Sequence, residues 1–396
     1  MITARVYLKS GRERSLARRH PWIFSGAIER LDDNLESGET VDVLSSDGRF
    51  VARAAYSPAS QIRLRVWTFD ESEPVDEHFL RRRLTRAIES RRRLGFLADG
   101  CACRLVFAES DGLPGLIVDR YGEFIVCQFL AAGAERWRDA IVAALREICA
   151  PAGVYERSEA GARHKEGLKS RRGVLDGNEP PAAIEIKGGD RRYLVDITNG
   201  QKTGAYLDQR ANRDRVAAYA ARARVLDAFA YTGGFAIASL RAGAVSARLV
   251  DTSAEALAAA KRDAELNDVE GRCELAVADV FDELRAMRDR RERFDLVILD
   301  PPKFVHSAEQ VHAGSRGYKD INMLALQLVR PGGVLSTFSC SSHVDAALFQ
   351  KIVAGAAIDA GRDAQILERL GHPPDHPVAL EFPEGEYLKG LVLRVL

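Results

Sequence analysis

RVLDAFAYTGGFAIASLRAGAVSARLVD, residues 224–251, decides the architecture. An apolar run closes on Asp227, and a turn carrying Gly233-Gly234 follows. An Ala-rich stretch then predicts a helix over 235–242, and a second apolar run closes on Asp251. The rhythm continues downstream. A helix over 253–266 precedes CELAVAD, a short helix over 281–289 precedes FDLVILD, and a helix over 317–329 precedes GGVLSTFS; a helix near 343–360 and a closing LKGLVLRVL complete the set. Apolar strands alternating with amphipathic helices predict an α/β domain whose parallel sheet is covered on both faces. Ligands of such sheets bind beyond the carboxyl ends of the strands.

Upstream the periodicity differs. ETVDVLSS and RFVARAAY flank Asp47-Gly48, which is the signature of a hairpin, and QIRLRVWTF at 61–69 alternates again. The first ~70 residues therefore predict a small β-rich module, followed by a helix over about 76–95. The segment 104–197 predicts strands, a helix over 134–150, and further strands that end in a hairpin about Gly188-Gly189. Between them, 159–178 is rich in Gly, Arg and Lys and predicts a mobile basic loop.

The chain has 396 residues, 46% apolar and 29% charged, which excludes a disordered or collagen-like chain and leaves room for several domains. No run is long and apolar enough for a membrane span, and the opening stretch has charge but no apolar core, so neither a membrane anchor nor a secretory signal is expected. The six Cys show neither a CxxC nor a metal-ligand spacing, so cytoplasmic thiols and no metal are expected. Lys+Arg and Asp+Glu both number 57, yet the cations cluster. Residues 1–20 hold six against one acid, 81–93 hold seven Arg against one Glu, and 157–172 hold six against two acids. Such faces attract phosphate backbones, whereas the alternative for each is a solvated helix or loop.

Three acids, Asp227, Asp251 and Asp279, end three successive strands. An acid one strand after a Gly-containing turn is where a ribose diol is held. The turn is not GxGxxG, which argues against a pyrophosphate, so S-adenosylmethionine fits better than NAD. A fourth strand ends in Asp300-Pro301-Pro302, where the prolines fix an extended exit with carbonyls ready to meet a planar base edge. Just past the fifth strand lies Cys340, among Ser339, Ser341 and Ser342, a loop position suited to a nucleophile rather than to the core. Carbon 5 of a pyrimidine is inert until a thiolate adds to carbon 6. An acid at ring nitrogen 3 lowers the barrier to that addition.

With these residues the chain resembles the bacterial RNA cytosine-5 methyltransferases of 23S ribosomal RNA, the RlmI type. The likeness is densest over DPPKFVHSAEQVHAGSRGYKD (300–320), INMLALQL (321–328), TFSCS (337–341), LFQKIV, AAIDAGRD and PEGEYLKG. It implies a PUA domain over 1–72, a helix plus central α+β domain over 73–190, and a Rossmann-like class I methyltransferase domain over 191–396. Cys340 would be the nucleophile and Asp300 the acid at the base. Asp251 would hold the ribose and Asp279 would lie near the adenine. Asp227, with Phe229, Tyr231, Thr232, Gly233 and Gly234, would hold the methionine end. In TNGQKTGAYLDQR (198–210), Gln201, Lys202, Thr203, Tyr206, Asp208 and Gln209 would close over the cofactor; the alternative is a polar entry loop with Asp208 as an N-cap. Pro301, Pro302, Lys303, Arg316 and Lys319 would meet the RNA. Lys303 occupies the position where many relatives carry a second Cys, so the base that removes the carbon 5 proton is unassigned, with Lys303, His343 and water as possibilities.

The expected function is thus methylation of carbon 5 of one cytosine in 23S ribosomal RNA, by a monomer or homodimer. Two alternatives stand beside it. One is methylation of another position such as guanine nitrogen 7, which needs no nucleophile; the other is a ribosome-assembly factor with a vestigial cofactor site. His20-Pro21-Trp22 could contact RNA or pack in the core.

Overall fold

The computed structural model describes residues 4–159 and 161–396. The first three residues of the N-terminal module, and residue 160 of the third basic stretch, lie outside the described residues. Two compact units are present. The first takes the chain up to Ile186, with Val195–Leu207 and Pro374–Gly385; the second takes Lys187–Leu194, Asp208–Pro373 and Glu386–Leu396.

The first unit opens with β1 (Arg5–Leu8), α1 (Arg14–Ala17), β2 (Trp22–Phe24), β3 (Ile28–Leu31), β4 (Thr40–Leu44), β5 (Phe50–Tyr56) and β6 (Ile62–Thr68). The six strands form one sheet in the order β2-β6-β5-β4-β1-β3. Its hairpin is the expected one: β4 and β5 pair antiparallel around Gly48, whose φ of 83° only glycine adopts without strain. Ser45 Oγ donates to Asp47 at 2.5 Å and locks the turn.

Next come α2 (Glu77–Arg93), β7 (Ala102–Phe107), β8 (Leu116–Tyr121), β9 (Phe124–Phe129), α3 (Ala132–Arg136), α4 (Arg138–Cys149), β10 (Gly153–Ser158), α5 (Gly161–Lys165) and β11 (Arg171–Gly177). Asp76 caps α2 by accepting from the Phe79 N–H at 2.8 Å. The strands make a second sheet in the order β11-β10-β9-β8-β7. A shared core packs α2 and α4 on this sheet and draws in Ala55 and Trp67 from the first.

The stretch expected as a mobile basic loop is instead α5 and the edge strand β11, paired antiparallel with β10. The charges explain the order. Arg163 is buried and donates to Glu135 at 2.8 Å, while Glu166 accepts from Ser57 at 2.7 Å and pairs with Arg65 at 3.0 Å. The second basic cluster is also largely spoken for. Arg81 pairs with Glu147, Arg82 and Arg83 with Glu73, and Arg92 with Glu89. Arg91 is only 1% exposed and grips Asp111 through both its Nη atoms, at 2.7 and 2.8 Å. Trp22 likewise serves the fold: its Nε1 donates to Glu109 at 2.8 Å and its ring meets Phe382 edge-on at 4.8 Å.

The hairpin β12 (Ile184–Gly188) and β13 (Arg191–Val195) carries the chain across the division between the units. The second unit then runs α6 (Arg210–Ala217), β14 (Arg224–Ala228), α7 (Gly234–Arg241), β15 (Ser246–Asp251), α8 (Ala254–Leu266), β16 (Cys273–Val277), α9 (Val280–Asp289) and β17 (Phe294–Leu299). It closes with α10 (Val311–Leu328), β18 (Val329–Ser339), α11 (Ala346–Asp359), β19 (Ala364–Leu370) and β20 (Lys389–Val395).

The sheet order is β16-β15-β14-β17-β18-β20-β19. Pairing is parallel from β16 to β18, and the last two strands run antiparallel. Successive residues face opposite sides, as the strand period of two requires. Leu226, Val250 and Val297 enter one core with α9, α10 and α11, while Val225, Leu249 and Leu296 enter the other with α6, α7 and α8. Strand β19 is not among the elements expected above; every one of its residues is at least partly exposed. Helix α10 starts six residues earlier than expected, at Val311 rather than 317; Gly314 there fits tightly under Phe304 and Val305.

Candidate active site

Parallel pairing brings the carboxyl ends of β14, β15, β17 and β18 to one edge of the second unit's sheet. Asp227 lies at the end of β14 and Asp251 ends β15, while Asp300 and Cys340 directly follow β17 and β18. The turn after β14 is strained: Phe229 and Tyr231 hold φ of 61° and 49°, at about 1–3 kcal/mol each. Hydrogen bonds keep it there. Ala230 N–H donates to Val250 O at 3.1 Å, and Tyr231 N–H donates to Asp251 Oδ2 at 2.9 Å. The other oxygen of Asp251 accepts from Ser253 N–H at 2.9 Å, so this carboxylate is fixed by two backbone amides.

Asp227 is 1% exposed; Oδ2 accepts from Ala236 N–H at 2.9 Å, and Oδ1 has no hydrogen-bond partner among the described residues. Burial, reinforced by the nearby charges of Asp300 and Asp251, pushes its pKa up to about 8, against the pull of the Ala236 amide.

Asp300 is oriented by a relay. Gln209 Nε2 donates to Asp300 Oδ1 at 2.9 Å, Asn212 Nδ2 donates to Gln209 Oε1 at 2.7 Å, and Asn212 also donates to Gly371 O at 3.1 Å. Pro301 is buried and Pro302 exposed. Phe304, four residues beyond Asp300, meets Phe229 at 6.5 Å, Phe281 at 6.1 Å and Tyr318 at 4.7 Å. Phe229, Phe281 and Phe304 are each only half-buried, an aromatic wall beside the acids.

Cys340 is half-buried, with its thiol free of any disulfide. The loop around it is tightly held. Ser341 Oγ accepts from Val305 N–H at 3.3 Å and shares a hydrogen bond with the Tyr318 hydroxyl at 2.9 Å. Lys389 Nζ donates to Ser341 O at 2.7 Å and also to Val344 O.

Several expected site residues also make contacts within the protein. Gly233 adopts φ of 72°, and a Cβ there would strike Leu249 at 2.7 Å; a Cβ on Gly234 would strike Arg213. These glycines permit close packing inside the protein. Asp279 is exposed and caps α9, accepting from Asp282 N–H at 3.1 Å. Thr203 is buried in the first unit, where its hydroxyl donates to Asp119 at 2.7 Å and meets the Tyr121 hydroxyl at 2.9 Å. The buried Arg104–Asp119 pair takes that donor. Also in the first unit, Tyr206 donates to Gln201 at 2.5 Å and Lys202 sits 4.3 Å over the Tyr206 ring. Asp208, in the second unit, accepts from the Tyr387 hydroxyl at 2.6 Å. On α10, Arg316 is exposed beside His312 at 3.3 Å, and Lys319 forms an ion pair with Asp359 at 2.6 Å. Lys303 is half-buried, and His343 is exposed.

A family model of S-adenosylmethionine-dependent methyltransferases matches residues 156–394, and one of a PUA-like domain matches residues 6–69. Ribosomal RNA large subunit methyltransferase I of Aeromonas salmonicida is 53% identical over 98% of this chain and 98% of its own length. The protein of the same name from Citrobacter koseri is 50% identical over the full length of both. The chain belongs to this methyltransferase family. Solved structures agree on the fold. A SAM-dependent methyltransferase assignment from Streptococcus mutans superposes with a TM-score of 0.85 at 24% identity, over all of both chains, and SMU.776, complexed with SAH, gives 0.86. Among the described residues no helix is long and apolar enough to cross a membrane, and no group of three or more His, Cys, Asp or Glu could hold a metal.

S-adenosylmethionine is the cofactor of this methyltransferase family, and the residues here fit it. The partnerless oxygen of buried Asp227 suits a cationic group, the doubly anchored Asp251 suits a diol, and the aromatic wall suits a planar base. A pH test follows. A pKa raised on folding favours the folded state at low pH, and that contribution is lost as pH rises through about 8. A cationic ligand favours the ionised acid, so affinity for S-adenosylmethionine, measured by calorimetry, should improve from pH 6 to pH 8. Asp227→Asn should bind about 10–100-fold more weakly with that rise abolished. Without cofactor, the same variant should melt higher than wild type at pH 9.

Proposed function

We propose that the protein transfers a methyl group from S-adenosylmethionine to carbon 5 of a cytosine in 23S ribosomal RNA, through a transient Cys340–cytosine bond. One observation carries this reading: Cys340, half-exposed, shares a sheet edge with Asp300, and their strands are immediate parallel neighbours. The names of the relatives support a large-subunit ribosomal RNA as substrate. Methylation of an exocyclic or purine nitrogen has no use for a thiol at that place, so Cys340 also separates the main alternative.

S-adenosylmethionine, when bound, supplies an electrophilic methyl on a sulfonium. On this reading Asp227 and the Phe229–Gly234 turn, with Thr232, hold the methionine end. Asp251 holds the ribose, and the half-buried Phe281 and Phe304 flank the adenine, with Asp279 nearby. The Cys340 thiolate adds to carbon 6, and the displaced electron pair runs towards ring nitrogen 3, which takes a proton from Asp300. Carbon 5 thereby gains the density to accept the methyl, and as it does so ring nitrogen 3 returns its proton to Asp300. A base then removes the carbon 5 proton, its electron pair restores the 5,6 double bond, and the thiolate leaves. The relay from Gly371 through Asn212 and Gln209 keeps Asp300 aimed. The target cytosine must be unstacked or flipped, because carbon 6 is inaccessible in a helix.

The modules follow the same reading: an RNA-holding PUA domain over 1–72, a central domain over 73–190, and the methyltransferase domain over 191–396. Pro302, Lys303 and exposed Arg316 face the RNA, and buried Pro301 fixes the backbone that carries them. Lys319 has the weaker claim, since Asp359 already neutralises it. The deciding experiment maps 5-methylcytosine across 23S ribosomal RNA from cells with and without the protein. One cytosine should lose its methyl in the deletion and regain it with purified protein. A lost methyl on guanine instead would overturn the assignment.

A further inference from the structure

The PEGEYLKG segment contains a lysine that the chemistry above leaves without a role. Lys389 opens β20 and is the cross-strand partner of Ser339, the residue before Cys340. Its side chain is 8% exposed, unusual for an ammonium group. Two of its three N–H donors go to the carbonyls of Ser341 and Val344, the loop that follows the cysteine. The same loop is gripped from α10 by Tyr318, through Ser341.

We propose that Lys389 is the positioning residue of the Cys340 nucleophile, pinning the loop through these two carbonyls and keeping a positive charge against the sulfur. A thiolate is stabilised by a neighbouring cation, and the low dielectric of a half-buried site strengthens the effect. Reciprocally, burial pulls the Lys389 pKa down to about 8, while Cys340, Glu386 and Asp345 oppose that pull and Lys303 adds to it. These groups, with the Tyr318 hydroxyl, are the titrating and charged neighbours of the pair. The inference rests on Cys340 being the nucleophile, but its test does not require methyl transfer.

The test is alkylation of the whole protein by iodoacetamide across pH 6–10, followed by mass spectrometry of the Cys340 peptide, so that the other five cysteines do not interfere. Lys389→Gln keeps donor atoms and loses the charge. It should slow Cys340 alkylation at pH 7 by about tenfold or more and move the midpoint of its pH profile upward. Lys389→Arg should restore the rate to within about threefold of wild type. Affinity for S-adenosylmethionine reports folding and should be unchanged. Equal profiles for Lys389→Gln and wild type overturn the proposal. If Lys389→Gln does not fold, the wild-type profile decides alone: a midpoint at the ordinary thiol value of about 8.5 overturns it, and a lower one sustains it. Should Cys340→Ala retain methyl transfer, the nucleophile assignment fails while the alkylation profile still reports on the Lys389–Cys340 coupling.

Discussion

Cys340→Ala should abolish methyl transfer, lowering the rate on the order of 10³-fold or more, while S-adenosylmethionine still binds. The size follows from the chemistry. Without addition at carbon 6 the pyrimidine carbon has no route to enough electron density, and none of the remaining residues substitutes for the sulfur. Cys340 is half-buried and its loop is held by Ser341, Tyr318 and Lys389, so removing one sulfur atom should leave the fold intact. The measurement is incorporation of labelled methyl into ribosomal RNA, run beside calorimetry of the cofactor. Release of tritium from carbon 5 of the substrate should stop as well, because exchange at that carbon also needs the adduct. Full activity in this variant would point to a nitrogen target.

Asp300→Asn should reduce the rate by about 10²–10⁴-fold, the span expected for loss of a general acid. The amide preserves shape: its oxygen can still accept from Gln209, so the relay to Asn212 and Gly371 survives. What disappears is a proton to share with ring nitrogen 3. The loss should therefore fall on the maximal rate, with KM for RNA and Kd for the cofactor changed only a few-fold. A variant with unaltered maximal rate would remove Asp300 from the chemistry.

Combining the two substitutions should cost little more than Cys340→Ala alone. Residues serving one addition step act as a unit, and the acid has nothing to assist once the nucleophile is gone.

Local patterns in the chain carry much of the architecture. Apolar runs of strand length, helices with caps such as Asp76, Ser253 and Asp345, and the Asp47-Gly48 turn depend on residues near one another in sequence. The positions of Asp227, Asp251, Asp300 and Cys340 were legible for the same reason: each closes or follows an apolar run, and parallel pairing then delivers them to one edge. Pairings between distant residues could not be read that way. Clustered arginines read either as a positive face or as a solvated helix or loop, and neither reading gives Arg91 sealed against Asp111 or Arg163 against Glu135, because an ion pair's partner lies anywhere the fold puts it. The contact of Thr203 with the buried Arg104–Asp119 pair is of the same kind, set by residues 84 or more positions away.

Residue type and short spacing are enough to read the main strands and helices of the second unit and the order in which its strand-end acids and Cys340 fall along the chain. The fold alone brings Gln209 to Asp300, sets Phe281 beside Phe304 and lays Lys389 against the Cys340 loop. Hydrogen bonds and burial are properties of atoms brought together from remote parts of the chain, and no local pattern encodes which atoms those will be.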